Sequence, residues 1–243
     1  MLDGMGKINE LVKKAADLGM PALALTDHGV MHGVVEFYEE CEKAGIKPLI
    51  GCEVYVAPRT LHDKVPRVDA SPYHLILLAK DTVGYKNLLK LTTVAHLEGY
   101  YYKPRIDKNL LRKHSEGLIA CSACVQGEIP RKALEDIEKG REAVTEMIEI
   151  FGKDNLYLEV QKHVKVDVQD QANELVFQLA QEFNLKVIAT NDIHYVNSSD
   201  AEAQDALICL QTSRYMDETD RMSMMGDDYS LLTEEEMAAN FPG

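Results

Sequence analysis

The sequence predicts an α/β fold in which a parallel sheet curls into a barrel. Short runs rich in β-branched and other apolar residues alternate with segments of helical periodicity, the order typical of a parallel sheet covered by helices. Six such runs occur within about 190 residues, a density that favours a barrel over an open sheet.

The six predicted strands are apolar runs of four to nine residues, bounded by turn-forming residues. They span residues 22–26, 48–56, 74–79, 118–121, 156–160 and 186–190. Helical patterns cover residues 8–18, 34–44, 88–97, 135–151 and 166–183. Gly19, Gly45 and Gly152 follow three of these helices and Asn184 follows another, and both residue types commonly end helices.

Composition narrows the function classes. The formal net charge is −14, from 26 basic and 40 acidic residues, which disfavours a free-standing domain that grips duplex DNA. No apolar run reaches the roughly 18 residues of a membrane span, and no secretory signal opens the chain. Five irregularly spaced cysteines do not form a disulfide framework. We therefore expect a cytoplasmic protein with no membrane partner.

The character of the sequence changes after Tyr195. Residues 197–200 (NSSD) predict a turn and an N-cap for a helix over residues 201–211, and a polar, acidic, Met-rich stretch follows. The last pattern, Thr233 to Glu236, is a capping box that opens a helix with little length left. We expect a barrel domain over residues 1–197, a connecting segment over residues 198–243, and a cut within a longer protein.

The end of the first strand carries a carboxylate and an imidazole, in Asp27 and His28, and Gly29 then allows a turn. Functional side chains of α/β barrels gather at such strand ends. Asp27 could equally cap the following helix with His28 incidental, and these residues alone do not decide between the two readings.

The same pattern recurs at other strands. Glu53 interrupts an apolar strand, Cys124 follows the fourth strand, and Asp192 and His194 follow the sixth. Asp192 and His194 are two residues apart, so in an extended chain they would point the same way. Buried carboxylates and imidazoles are costly unless they are paired or bind a metal. Together with His28, these residues favour a divalent metal site over structural coincidence.

The remaining cysteines and histidines are assigned to packing or to the surface. Cys121 and Cys124 form a C-x-x-C pair, but no second pair completes a zinc knuckle, and Cys124 is the better ligand candidate. Core packing is the expected role of Cys41, Cys52 and Cys209. Surface or packing roles are expected for His32, His62, His96, His114 and His163.

Several segments, in order and over essentially the whole chain, resemble one family. They are residues 21–29 (PALALTDHG), 51–55 (GCEVY), 73–80 (YHLILLAK), 101–105 (YYKPR), 189–195 (ATNDIHY), 211–212 (QT) and 220–222 (DRM). They resemble the N-terminal polymerase-and-histidinol-phosphatase (PHP) domain of bacterial DNA polymerase III alpha subunits.

The resemblance implies a distorted (βα)7 barrel with nine ligands for up to three divalent metals, with zinc or manganese expected. Seven ligands carry over by motif: Asp3, His28, Glu53, His74, Cys124, Asp192 and His194. Asp3 and His74 rest on the resemblance alone. Asp192, His194 and His28 are the residues we expect to be catalytic.

One departure from the family concerns the beginning of the chain. The family opens with a His-x-His-Thr segment on the first barrel strand, ahead of the Leu-Asp-Gly motif that stands here at residues 2–4. We therefore expect a truncated first strand, two exposed sheet edges, fewer bound metals and an impaired site.

The resemblance implies a phosphoesterase site with 3′→5′ exonuclease proofreading ancestry, in a domain of a replicative polymerase. The implied partners are the rest of the polymerase chain and a DNA 3′ end that it delivers; DNA synthesis would belong to a palm domain beyond residue 243. The alternative is a structural module that stabilises the polymerase and docks a separate proofreading exonuclease. Segment 201–237 disfavours a free-standing phosphatase of the histidinol phosphatase type.

Overall fold

The computed structural model describes residues 3–241. Residues 1–2 of the first predicted domain and residues 242–243 of the predicted connecting segment lie outside the described part. The described part contains a seven-stranded sheet. Its strands are β1 (Ala22–Leu25), β2 (Lys47–Val56), β3 (Tyr73–Ala79), β4 (Arg105–Ile106), β5 (Leu118–Cys121), β6 (Leu156–Val160) and β7 (Lys186–Ala189).

Nine α-helices lie within the same range. They are α1 (Ile8–Asp17), α2 (Val34–Ala44), α3 (Thr82–Leu97), α4 (Lys108–His114), α5 (Glu128–Glu135), α6 (Ile137–Phe151), α7 (Gln169–Phe183), α8 (Ala201–Thr212) and α9 (Glu234–Asn240). All six predicted strands are present, with ends that agree to within one residue. No helix among residues 3–241 is both long enough and apolar enough to cross a membrane.

The sheet curls into a half-barrel, so the predicted α/β class with a distorted barrel is confirmed. The strands pair in the order β1-β2-β3-β5-β6-β7, and β4 pairs with β2 beside this path. In the described range β1 and β7 therefore stand at the two ends of the pairing order. Strands β1, β2, β4, β5, β6 and β7 all run in one direction.

Strand β3 runs against the others, which makes the expectation of a fully parallel sheet wrong at this position. It pairs antiparallel with both β2 and β5. The cause is the connection over residues 57–72, which contains no helix and so makes no crossover back to the start of the sheet. The beginning of β3 consequently lies at the same edge as the ends of its neighbours.

The helical prediction for residues 135–151 is wrong at its beginning. The structure has two helices, α5 and α6, separated at Asp136, whose backbone is extended. The Asp136 carboxylate accepts a hydrogen bond from the backbone N–H of Glu138 at 2.9 Å and so caps α6. Strand β4 and helix α4 were also not predicted, because both are too short to show a clear period.

Two apolar clusters hold the fold together. The larger lies between the sheet and helices α3, α5, α6 and α7, and Leu77, Leu88 and Leu91 are among its fully buried residues. The smaller joins α1 and α2 and also includes Leu231, which follows α8. Residues of the predicted connecting segment thus pack against the barrel, and the boundary at residue 197 stays a prediction.

Candidate metal centre

The structure brings all seven predicted ligands to one edge of the sheet. His28 follows β1, Glu53 lies near the end of β2, and Cys124 follows β5. Asp192 and His194 follow β7, and Asp3 lies beside His28 and His194. His74 belongs to the same edge because β3 is reversed, and it pairs in register with Tyr55 of β2.

Asp3, His28 and His194 form the tightest group. One potential ligand atom from each residue can be chosen so that all three lie within 4.8 Å of one another. The backbone oxygen of Asp3 accepts a hydrogen bond from Nε2 of the buried Gln204, at 2.9 Å. A carboxylate and two imidazoles at this spacing can share one divalent cation.

Glu53 links two imidazoles. Its Oε1 atom lies 2.8 Å from Nδ1 of His28 and 2.9 Å from Nδ1 of His74. Burial alone would raise the pKa of Glu53, but these hydrogen bonds and the charge of the imidazoles lower it to about 2. Burial alone would lower the pKa of His28, but Glu53, Asp3 and Asp192 outweigh it and raise that pKa to about 9.

Cys124 lies on a tight turn after β5, where the preceding Ala123 has a φ of 60°. Its Sγ atom is 3.6 Å from Nδ1 of His74, which places the sulfur beside the contact between His74 and Glu53. Burial, and then the charges of Asp192 and Glu53, raise the pKa of the Cys124 thiol. A bound cation would favour the thiolate instead.

The predicted extended geometry of residues 192–194 is wrong, although the two side chains do meet. Asp192 adopts a left-handed conformation with a φ of 50°. Its backbone oxygen lies 2.6 Å from Nδ1 of His194, and its carboxylate oxygen lies 3.8 Å from the same nitrogen. A carbonyl accepts only from a protonated nitrogen, so Nδ1 carries the hydrogen and Nε2 is left free to bind a metal.

A model of the family described as "PHP domain" matches residues 1–163, two thirds of the chain. The chain belongs to the PHP domain family.

Proteins named DNA polymerase III subunit alpha resemble this PHP domain along almost all of its length. The relative from Borreliella burgdorferi is 44% identical over 99% of the chain. Those from Treponema pallidum and Thermus aquaticus are each 40% identical over the whole chain. The chain spans 21%, 21% and 20% of these three relatives, about a fifth of their length. The resemblance to alpha subunits stated from the sequence is thereby confirmed.

Solved structures agree on the fold. A protein from Bifidobacterium adolescentis, described as a candidate metal-dependent phosphoesterase, superposes with a TM-score of 0.53 at 12% identity, covering 98% of this chain and 92% of that one. An amidohydrolase from Chromobacterium violaceum, solved with sulfate and without metal, gives a TM-score of 0.52 at 15% identity. That match covers 80% of this chain and 84% of the other.

Glu159 is a residue of this edge that the sequence analysis missed. It lies on β6, and its Oε1 atom accepts hydrogen bonds from Thr190 Oγ1 at 2.5 Å and Gln161 Nε2 at 3.3 Å. Burial raises its pKa to about 7, assisted by the charges of Asp192 and Glu53. The signal was present, because Glu159 is a lone carboxylate in an apolar strand, as Glu53 is.

A surface or packing role is predicted for His163, and the structure buries this residue close to the candidate metal centre. Its ring stacks on Tyr229 with centroids 4.2 Å apart, and the Tyr229 ring meets His194 edge-on at 5.7 Å. Neither ring nitrogen of His163 has a hydrogen-bond partner within residues 3–241. The position of His163 shortly after the end of β6 was the available signal, the same one that identified His28.

Proposed function

We propose that this PHP domain is a metal-dependent phosphoesterase that removes nucleotides from a DNA 3′ end, as part of a DNA polymerase III alpha subunit. The observation that carries the proposal is the meeting of Asp3, His28 and His194, whose potential ligand atoms lie within 4.8 Å of one another. The phosphoesterase description of a protein with the same fold supports the reaction class. The polymerase relatives support the setting.

The side chains fit divalent metals in their chemistry. Asp3, His28 and His194 would hold one ion, and Glu53, His74, Cys124 and Asp192 supply further oxygen, nitrogen and sulfur donors beside it. This mixed donor set suits zinc, and the carboxylates and imidazoles also suit manganese. We infer fewer than three ions, because seven ligands carry over here and the family's intact three-ion site implies nine.

Bound divalent cations would lower the pKa of water and stabilise the charge that develops on phosphodiester oxygens. Other residues of the chain hold the imidazole rings of the candidate ligands in place. The hydrogen bond from His194 Nδ1 to the Asp192 carbonyl fixes the ring, and Glu53 fixes the ring of His28. His28, Asp192 and His194 are our candidates for the residues that touch the reacting phosphate.

In this proposal the rest of a polymerase chain delivers the DNA 3′ end to the edge of the sheet that carries the candidate ligands. That division of labour agrees with the net charge of −14, because the domain need not grip duplex DNA by itself. A separate proofreading exonuclease subunit is a further proposed partner, and the cytoplasm is the proposed location.

The test measures bound metal by mass spectrometry and the release of nucleotides from labelled single-stranded DNA. Both are measured for the native chain, for His194→Ala and for His62→Ala, because His62 is exposed and lies outside the centre. We expect the native chain and His62→Ala to bind metal and to shorten the DNA slowly, as an impaired site would, and His194→Ala to lose both properties. If metal binds but DNA stays intact, the structural module that docks a separate exonuclease is the better description. If no metal binds, the phosphoesterase proposal is wrong.

A further inference from the structure

We propose that the turn over residues 100–105 is a binding platform for a single strand of DNA, in which Lys103 binds a backbone phosphate and Tyr102 stacks on a base. This inference rests on the proposed function and names residues that would hold its substrate. None of the seven candidate ligands belongs to the turn.

Lys103 places a positive charge beside the metal centre. Its Nζ atom lies 5.2 Å from the centroid of the Tyr55 ring, and that ring meets the His74 ring edge-on at 5.3 Å. Within residues 3–241 Lys103 forms no ion pair, and the side chain is exposed. A free ammonium group over an aromatic ring that contacts the candidate ligand His74, in a chain of net charge −14, is suited to a phosphate that approaches the centre.

The turn packs directly against the strand-end loop that carries His28. A Cβ added to Gly29 would lie 2.8 Å from Cγ of Pro104 and 3.1 Å from Cε2 of Tyr55. Nε2 of His96 lies 2.9 Å from the Gly29 backbone oxygen and also holds the loop in place. A strand held on this turn would therefore be next to the candidate catalytic residue His28.

A buried guanidinium makes the turn rigid. Arg105 is fully buried and donates hydrogen bonds to backbone oxygens of Gly99, Leu61, Asp63 and Asp69, at 2.9–3.1 Å. The three bonds to Leu61, Asp63 and Asp69 join the turn to the connection over residues 57–72. Rigidity favours binding, because little conformational freedom remains to be lost when a ligand binds.

The turn holds aromatic rings out into solvent. Tyr102 is 68% exposed and Tyr100 is 54% exposed. Tyr102 adopts a left-handed backbone conformation with a φ of 60°, flanked by a backbone bridge between Tyr101 and Lys103. Exposed aromatic rings beside a cation are the combination that binds single strands, since bases stack on the rings while the cation binds phosphate.

The test is a fluorescence-anisotropy titration of a labelled oligothymidylate with the chain, in EDTA so that the strand stays intact. It is repeated over a range of salt concentrations. Lys103→Ala is compared with Lys153→Ala, because Lys153 lies just before β6, at the opposite edge of the sheet. Tyr102→Ala is compared with Tyr102→Phe, which keeps the ring, and with Tyr38→Ala, which removes an exposed ring on α2.

We expect Lys103→Ala to weaken binding about fivefold and to reduce the salt slope by roughly 0.7, the value for one phosphate contact on a single strand. Tyr102→Ala should weaken binding about tenfold through lost stacking and leave the salt slope unchanged. Tyr102→Phe, Lys153→Ala and Tyr38→Ala should bind like the native chain. Thermal unfolding of every variant checks that the fold is intact.

The platform is overturned if the native chain does not bind the oligonucleotide, or if Lys103→Ala and Tyr102→Ala bind as tightly as their controls. The result is independent of the metal chemistry, since the titration contains no metal. A chain that binds the strand through these residues but holds no metal would retain the platform and lose the phosphoesterase proposal.

Discussion

Oε1 of Glu53 lies 2.8 Å from Nδ1 of His28, and this contact sets the protonation of the centre when no cation is bound. Burial opposes charge on both groups, yet the pKa of Glu53 falls to about 2 and that of His28 rises to about 9. At neutral pH the pair is therefore a carboxylate and an imidazolium. A cation that binds through His28 must displace a proton.

Metal binding should consequently become tighter as pH rises. Below pH 9 the proton on His28 competes with the cation, so affinity should increase about tenfold per pH unit between pH 6 and pH 8 for each proton released. Isothermal titration calorimetry with zinc, in buffers of different ionisation enthalpy, measures that release. We expect at least one proton per cation at pH 7, and fewer for His28→Ala. Binding independent of pH would contradict the assignment of His28 as a ligand.

Glu53→Gln should destabilise the metal-free fold. The substitution keeps the shape of the side chain but removes the charge that two imidazoles share, and a hydrogen bond to a charged group contributes about 2 kcal/mol. Urea unfolding in EDTA at pH 7 measures the change. Glu10→Gln is the matched control, because Glu10 forms an exposed ion pair with Lys7 and its substitution should change stability by less than about 0.5 kcal/mol. Equal effects of the two substitutions would refute the bridging role.

Glu159→Gln should stabilise the metal-free chain at high pH. The folded-state pKa of about 7 lies above the usual value near 4.5, so the folded state holds this proton more tightly than the unfolded state. The stability that the proton on Glu159 contributes is complete below pH 4.5 and is lost as pH rises through 7. The glutamine variant, which does not ionise, should gain about 3 kcal/mol over the native chain at pH 8 and almost nothing at pH 4.5.

Urea unfolding in EDTA at the two pH values checks this difference. Glu149→Gln serves as the control, since Glu149 is exposed on α6. A gain of the same size at both pH values would show that Glu159 is already ionised in the fold.

Arg105→Lys should loosen the connection over residues 57–72. A lysine ammonium cannot reach the four backbone oxygens that the planar guanidinium joins, so buried acceptors would be left unpaired. We expect a loss of about 3 kcal/mol in unfolding free energy and faster amide hydrogen exchange over residues 61–69. Arg112→Lys, at an exposed pair with Glu146, should change neither quantity appreciably. Unchanged exchange in Arg105→Lys would show that other contacts hold the connection.

Local periodicity was sufficient for most of the fold. Strands β5 and β6 and helix α2 have the predicted bounds, because apolar residues on one face and glycines at the ends act within a few residues. The direction of β3 depends on a helix-free connection and on pairing with two other strands. Sequence spacing carries no direct signal of that direction.

The candidate site likewise contains residues that local sequence identifies and residues that only long-range contacts bring to it. The position of His28 after a strand identified it without any relative, and Glu53 stood out as a charge in an apolar run. Asp3 could not be found in this way, because Gln204, far along the chain, helps to place it beside His194. Tyr229 likewise joins the centre through a long-range contact with His194.

The backbone of His194 is held by two segments that are distant in sequence. Its carbonyl oxygen accepts hydrogen bonds from the N–H groups of Met5 and Gly6, at 2.6 and 3.1 Å, and its own N–H donates to the Tyr229 oxygen at 2.8 Å. Contacts of such high sequence separation close long loops, which costs conformational entropy and slows folding. We therefore expect the competence to capture a cation to be acquired late in folding, so that metal uptake during refolding would report completion of the whole domain.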